Sequence, residues 1–433
     1  MQISGFSCTQ LFGRYNHEIT FADLQKKSVF LYGDNGSGKT TIIRLIYNLL
    51  SSEKGTKTAI ANIPFKAFSL YLKNGGTLSV HRQDNLIGDY SITYEKNGST
   101  QSYSVHASAE NRVLSGKNPE MSSIKKLIDS FQLKLFYVTH DRVLKTNDTR
   151  IKVHESSEPD DLSSDDHWGS YTLFQDHHAQ NRTQQKLPLK VITSALRDHL
   201  RLEALQQENM AQNDVNSIYL DIAKRLSAAK VLRNNTKGPK AKKLLERINS
   251  IEKDYSIYRE SLLLPNVPFH DFHSVISDAP ENRKNAISEA LTPFVDSLQA
   301  RMKTLQPVAD LVESLQTEAS QYFWDKKISF NIMDGLHVQD MDEDEIKLDW
   351  LSSGEQQLLF MLCAVALMRD NDSLVLIDEP EISLNIKWQR KIMDSLINIS
   401  GSFKVQFIVA THAFEILSQH QEQISNLNSK GSN

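Results

Sequence analysis

The chain has 433 residues, a formal net charge of -4, 39% hydrophobic residues and 24% charged residues. This composition excludes wholesale disorder, collagen-like repeats and a disulfide scaffold, and the length predicts two or three domains. Cys8 and Cys363 are too far apart in sequence to suggest a zinc site. Because the N-terminus lacks a signal-peptide pattern and no segment approaches the roughly 20 apolar residues of a membrane span, we expect a cytoplasmic protein without membrane contact.

The first third of the chain has an α/β pattern. Apolar residues from Lys39 to Leu50 recur at helical spacing. From Phe65 to about Ser104 the apolar period is two, and Asn-Gly pairs at 74–75 and 97–98 are hairpin turn signals. We therefore assign residues 1–150 to the N-terminal half of one domain.

The middle of the chain differs in character from both ends. Residues 151–186 are acidic and serine-rich, which is typical of a solvated loop. Residues 187–323 favour helices, and Pro293 and Pro307 are expected to kink or end the last of these. This stretch predicts a helical or coiled-coil insertion, either a projecting hairpin or a compact subdomain. Residues 324–433 return to the α/β pattern and would complete the first domain.

A phosphate-binding loop is predicted after the short apolar run of residues 28–32. The loop fits G-x-x-x-x-G-K-[ST] and consists of Gly33, Asp34, Asn35, Gly36, Ser37, Gly38, Lys39 and Thr40, with Thr41 added to the expected cofactor-binding set. Glycines let backbone N–H groups turn inward around phosphate oxygens, and the helix start adds positive dipole character. Lys39 would place its charge on the phosphates of ATP, and Thr40 would bind Mg²⁺. The alternative is a glycine-rich turn without nucleotide.

An acidic pair follows a second apolar run at residues 374–377. Asp378 and Glu379, followed by Pro380 and Glu381, would lie at the C-terminal edge of the sheet, where α/β folds bind ligands. Asp378 would hold Mg²⁺, directly or through water, and Glu379 would orient and polarise the attacking water. The alternative is a solvated strand end.

Two further candidates mean little by themselves. The first, Ser352, Ser353, Gly354 and Glu355, opens a helix expected to run to about Arg369. Serine followed by glutamate three residues later predicts a capping box, and small residues at a helix start also form an anion site. The second is His412, at the end of the apolar strand 406–410.

Taken together, the order of these motifs resembles the ABC-type ATPase heads of SMC, RecF and OLD-like proteins. The stretches Leu351–Gln357, Ile377–Leu384 and Val409–His412 most resemble the AAA15 ATPases of bacterial anti-phage systems such as Septu, PARIS and some retrons. The resemblance covers about the first 140 and last 110 residues. It implies an α/β P-loop head, with a mixed sheet and an antiparallel β subdomain, that carries an inserted helical domain.

The resemblance also implies roles for individual residues. Ser352 to Glu355 would be the signature motif, which completes the ATP site of a second protomer in a homo-oligomer. Glu379, His412 and Lys39 would be the catalytic residues, with His412 as the switch histidine.

Three departures from the pattern are visible. Ser353 occupies the third signature position, Asn385 stands where many relatives carry histidine, and Thr139–Arg142 replaces a clear glutamine loop.

The resemblance favours an ATP-hydrolysing sensor and scaffold that controls a separate effector, expected to be a nuclease. The main alternative is a DNA-maintenance ATPase of the RecF or SMC kind, and a transporter subunit fits the large insertion poorly. Only 21 residues follow His412, too few for the nuclease domain of OLD-like proteins. A basic cluster is interpreted as a solvated tip or as a contact for DNA or an acidic partner; it comprises Lys230, Arg233, Lys237, Lys240, Lys242 and Lys243. For the chain as a whole, the further contacts considered are DNA and a phage protein.

Overall fold

The computed structural model describes several separate stretches of the chain. The described residues are 2–21, 27–53, 55–107, 118–141, 144–147, 189–207, 240–369 and 372–427. They form two compact units, one made of Met1–Ile192 with Leu348–Asn433 and the other of Thr193–Lys347. The acidic stretch 151–186 and the basic residues Lys230, Arg233 and Lys237 lie outside the described residues.

A six-stranded sheet in the first unit gathers parallel strands from both ends of the chain. Its order is β14–β3–β13–β12–β8–β9. The strands are β3 (Ser28–Tyr32), β8 (Lys134–Val138), β9 (Leu144–Thr146), β12 (Ser373–Asp378), β13 (Val405–Thr411) and β14 (Ile424–Asn426). β12 runs parallel to β8 and β13, and β13 runs parallel to β3. Both β12 and β13 are buried along their whole length, as their continuous apolar runs predict.

The second sheet of this unit is antiparallel and has the order β2–β1–β4–β5–β6–β7. Its strands are β1 (Ile3–Leu11), β2 (Tyr15–Thr20), β4 (Ala67–Leu72), β5 (Thr77–His81), β6 (Tyr90–Lys96) and β7 (Ser99–Val105). Asn97 and Gly98 both have positive φ, 51° and 78°, so the turn between β6 and β7 is of the type that an Asn-Gly pair favours. The mixed sheet and the antiparallel subdomain predicted for the head are therefore confirmed.

A buried glutamine joins the two sheets. Gln406 on β13 accepts a hydrogen bond from Ile3 N at 2.9 Å and donates one to Ile3 O at 2.8 Å. The apolar core around this link contains side chains from both sheets and from the helix after β3, among them Phe6, Phe68, Ile46 and Leu376. Because both main-chain groups of Ile3 are buried, the amide supplies the donor and the acceptor that an apolar side chain lacks.

Six α-helices of the described residues lie entirely within the first unit. They are α1 (Lys39–Leu50), α2 (Thr56–Asn62), α3 (Met121–Ser130), α8 (Ser353–Leu367), α9 (Ile386–Ile399) and α10 (Phe414–Ser418). α1 packs against β8, β12 and β13, and its apolar side chains are buried as the helical spacing predicts. α9 connects β12 to the parallel strand β13, so the expected crossover helix is confirmed. The described helices include none that is long and apolar enough to cross a membrane.

The second unit is mainly helical. Helical residues 189–207 (α4) lead into it, followed by α5 (Lys240–Glu260), α6 (Phe269–Ser277), α7 (Glu281–Ser320) and a hairpin of β10 (Lys327–Asn331) and β11 (Gly335–Gln339). The unit extends to Lys347, so its C-terminal limit lies beyond the position 323 expected from the sequence.

The longest helix corrects one expectation. α7 has 40 residues and ends at neither Pro293 nor Pro307, which lie inside it. Each proline costs roughly 3 kcal/mol in a helix interior. α7 packs against α5 and buries one face, including Leu298 and Val312. This burial keeps the helix continuous where propensity alone would end it.

Candidate functional site

The glycine loop after β3 closes around the side chain of Lys39. Gly38 has φ 94°, a backbone conformation that strains any residue with a side chain, and an added Cβ would also have to displace the Leu11 side chain, whose Cδ2 would lie 2.5 Å away. Lys39 is 5% exposed, and its Nζ donates to Gly33 O at 2.7 Å and to Asp34 O at 3.1 Å. The loop therefore holds a positive charge beside the N-terminus of a helix, which is an anion-binding arrangement.

The residue after Lys39 connects this loop to the end of β12. Thr40 Oγ1 donates to Asp378 Oδ1 at 2.9 Å. Asp378 is 2% exposed, and its Oδ2 has no hydrogen-bond partner among the described residues. Burial raises the pKa of the Asp378 carboxyl, and the neighbouring Glu379 adds to this, while the Thr40 hydrogen bond opposes it. The site thus contains a buried carboxylate oxygen that the protein leaves unsatisfied.

Two of the residues expected to be catalytic, Glu379 and His412, lie directly after β12 and β13. Glu379 has φ 52°, an uncommon backbone conformation for a residue with a side chain, and its N–H donates to Ala410 O at 2.8 Å. His412 Nδ1 lies 3.8 Å from Glu379 Oε1. Backbone strain of this kind persists where the surroundings determine it, often at functional sites.

The predicted signature residues begin α8. Ser352 Oγ accepts from Glu355 N at 3.3 Å, and Ser352 N donates to Glu355 Oε2 at 2.7 Å, so the predicted capping box is confirmed. A Cβ atom on Gly354 would lie 2.5 Å from Ser383 O, which shows that the loop after β12 packs directly against this helix start. Ser353 is exposed on the first turn. The nucleotide contact of these residues stays a prediction.

Sequence reasoning left three residues at this edge without a role. Glu381 accepts hydrogen bonds from Thr411 Oγ1 at 2.8 Å and from His412 N at 2.9 Å. His140, which follows β8, has its Nδ1 3.8 Å from Asp378 Oδ2. His17 on β2 is buried, and its Nε2 lies 3.2 Å from Ser37 O. The second acid of Asp-Glu-Pro-Glu was a visible signal for Glu381, whereas His17 had none because it belongs to the other sheet.

The donor set at the loop fits a magnesium nucleotide. Among the described residues, no group of three or more His, Cys, Asp or Glu side chains could hold a metal ion alone. Mg²⁺ in nucleotide sites is held by one or two protein oxygens together with phosphates and water. The Thr40 hydroxyl and the unsatisfied Asp378 Oδ2 are oxygens of this kind, and Lys39 would supply the charge for phosphate.

The fold and these residues define a P-loop nucleotide-binding domain. Residues 12–417 match the family model described as an AAA ATPase domain (AAA15). The chain belongs to this family of ATPase domains, which confirms the expectation of a nucleotide-binding ATPase head.

Solved structures with detectable similarity include two SMC heads. The Smc head domain of Pyrococcus furiosus, with an extended coiled coil and bound to the C-terminal domain of ScpA, is 12% identical over 96% of this chain and 91% of that chain, with a TM-score of 0.40. The SMC head domain from Thermotoga maritima is 14% identical over 97% of this chain and 92% of that chain, with a TM-score of 0.34. A search of curated proteins found no significant match.

The buried carboxylate of Asp378 generates a stability prediction. A raised carboxyl pKa in the folded state means that stability is lost as the pH rises and the group ionises, so ionised Asp378 destabilises the protein at neutral pH. Asp378→Asn keeps an acceptor for Thr40 and removes the charge. We expect the melting temperature without nucleotide to rise by about 2 °C or more, as measured by calorimetry.

The matched control is Asp129→Asn on α3, because Asp129 is exposed and the same change should leave the melting temperature unaltered. With Mg²⁺ and ATP present, the gain from Asp378→Asn should shrink because the ligand stabilises the wild type more. A lower melting temperature of Asp378→Asn without nucleotide would contradict this account of the site.

Proposed function

We propose that the chain binds ATP with Mg²⁺ and hydrolyses it. Thr40 and Asp378 would hold Mg²⁺, which polarises the phosphates, and Lys39 would stabilise their charge. Glu379 would accept a proton from the attacking water, and His412 would face the reacting phosphate. The observation that carries this proposal is the 2.9 Å hydrogen bond from Thr40 to Asp378, because it brings the phosphate loop and the end of β12 together.

Two substitutions separate nucleotide binding from hydrolysis. Lys39→Ala should abolish ATP binding, because it removes the positive charge whose Nζ donates to the carbonyls of Gly33 and Asp34 within the loop. Glu379→Gln should bind ATP normally but lower turnover by about 100-fold or more, because an amide cannot accept the proton. Binding is measured with a fluorescent nucleotide, and turnover by phosphate release.

The control for this experiment is Glu95→Gln on β6, an exposed carboxylate of the antiparallel sheet, which should hydrolyse ATP at the wild-type rate. Wild-type turnover in Glu379→Gln would rule out Glu379 as the base.

A homo-oligomer with composite ATP sites would complete this machinery. In the ABC heads that the chain resembles, the signature of one protomer completes the nucleotide site of another. One observation and one general property of helices support the same arrangement here. The capping box presents the start of α8 as an ordered helix N-terminus, and helix N-termini bind phosphate oxygens. Ser352 and the Gly354 amide would therefore act on the ATP of a second copy.

Mixing two inactive variants tests composite sites. Lys39→Ala removes the phosphate loop, and Ser352→Asn places a larger side chain at the signature while retaining a residue that caps helices well. Each alone should be inactive. At equal amounts, random dimers should recover about one quarter of wild-type turnover, because half of them contain one intact site of two.

Formation of the mixed dimer is checked with two affinity tags. Tagged mixed dimers that remain fully inactive would contradict completion of the site by a second copy.

The activity that the ATPase controls would be carried by another protein. We propose a cytoplasmic sensor and scaffold in which the ATP state controls a separately encoded effector, expected from the family resemblance to be a nuclease of an anti-phage system. Among the described residues, no group of three or more His, Cys, Asp or Glu side chains could hold a metal ion. The alternative, a DNA-maintenance ATPase that engages DNA itself, draws support from Lys242 and Lys243 in the basic cluster, which lie exposed on α5.

Co-purification distinguishes these two outputs. We expect the chain to form a complex with the product of a neighbouring gene, and Lys39→Ala to lose protection of cells against phage although the protein remains folded. Native mass spectrometry gives the composition, and plaque counts give the protection. DNA cleavage by the purified chain alone, or protection with every neighbouring gene deleted, would contradict a separate effector.

A further inference from the structure

One buried carboxylate at the same sheet edge as the candidate site has no role in the proposed hydrolysis. Glu381 is 5% exposed and lies on the loop between β12 and α9. Its Oε1 accepts from Thr411 Oγ1 at 2.8 Å and from His412 N at 2.9 Å, and it lies 3.1 Å from His412 Nδ1. A single oxygen thus contacts three polar groups at the end of β13.

The second oxygen of Glu381 has a different environment. Oε2 is buried and has no hydrogen-bond partner among the described residues. A buried carboxylate oxygen without a hydrogen-bond partner lowers the stability of the folded protein. A side chain whose only role was to stabilise this turn would therefore not need a carboxylate. A neutral acceptor could serve the Thr411 hydroxyl and the His412 amide equally well. The arrangement therefore indicates a role for the carboxylate beyond holding the turn.

Glu381 lies near the proposed base, Glu379, and His412 contacts both carboxylates. His412 Nδ1 lies between two acids, 3.1 Å from Glu381 Oε1 and 3.8 Å from Glu379 Oε1. The main chain adds a second link between the same strand ends, because Glu379 N donates to Ala410 O at 2.8 Å. The backbone of Glu381 is itself fixed by Leu384 N, which donates to its carbonyl at 3.0 Å. The contacts of Glu381 with the amide and the imidazole of His412 therefore oppose a shift of His412 relative to Glu379.

We propose that Glu381 is a positioning residue for the reaction. It fixes the amide and the imidazole of His412 beside Glu379, and it acts on hydrolysis through His412 without touching the nucleotide. This inference rests on the proposed ATPase function. It predicts that loss of the Glu381 charge slows turnover and leaves nucleotide affinity unchanged.

A double-mutant cycle tests whether Glu381 acts through His412. Glu381→Gln keeps the size and an acceptor for Thr411 and for the His412 amide, and it removes the charge. We expect kcat to fall about 10-fold or more, as for residues that orient a catalytic group, with the Kd for a non-hydrolysable ATP analogue within about twofold of wild type. Adding Glu381→Gln to His412→Ala should cost little further kcat, because residues that act as a unit are not additive.

Two controls accompany the cycle. Glu53→Gln removes another partly buried carboxylate of the same unit, one that accepts from Tyr47 OH at 2.7 Å, and it should leave kcat unchanged. Thr411→Ser keeps the hydroxyl that donates to Glu381 and should match wild type, whereas Thr411→Val should lower kcat. Multiplicative losses in the Glu381/His412 double variant, or a weaker Kd with unchanged kcat, would overturn the proposal.

A measurement that does not depend on ATP turnover distinguishes failure of the positioning role from failure of the proposed ATPase function. In Glu381→Ala the His412 amide loses its acceptor, so hydrogen–deuterium exchange of the peptide that contains His412 should become faster, while the peptides of α1 keep the wild-type rate. Unchanged exchange at His412 would overturn the positioning role. If wild-type protein shows no Lys39-dependent ATP turnover, the proposed function fails, and the exchange experiment still decides the role of Glu381.

Discussion

The pairing of four parallel strands is the constraint on which the candidate site depends. β3, β13, β12 and β8 are neighbours in one sheet, and their register sets Tyr32 opposite Thr411, Ala410 opposite Asp378 and Ile377 opposite Val138. Because parallel strands end at the same edge, the segments that follow them meet there although they lie hundreds of residues apart in sequence. The phosphate loop, His412, the acidic pair and His140 are thus brought together by backbone hydrogen bonds of the sheet.

The same edge concentrates features that lower stability. Asp378 and Glu381 are almost fully buried carboxylates, each with one oxygen that lacks a hydrogen-bond partner among the described residues. Glu379 and Ser383 adopt positive φ angles of 52° and 65°. Buried charge and backbone strain both oppose folding, and they persist here because β12 and β13 are buried throughout and fix the strand ends. Preorganised charge of this kind is what phosphoryl transfer requires.

The sequence predicted those parts of the molecule whose local pattern agrees with the tertiary structure. The glycine loop, α1 and the crossover α9 have strong local signals, and the structure has them where the pattern indicates. Of the two outcomes expected for Pro293 and Pro307, a helix end is wrong, because packing of α7 against α5 outweighs the local preference to end a helix. The contacts of Glu381 and His17 could not be predicted, since each joins segments distant in sequence, and only the folded register shows which side chains meet.

The start of α8 is fixed to the same loop that carries the acidic residues. Gly354 approaches Ser383 so closely that a single added carbon would lie 2.5 Å from its carbonyl oxygen. Asn385, two residues further on, caps α9 by accepting from Trp388 N at 3.0 Å. The loop from Glu379 to Asn385 is therefore held by three elements, namely β13 through Glu381, α8 through Gly354 and α9 through Asn385. Since interiors pack without free space, the predicted signature and the proposed base cannot be positioned independently of each other.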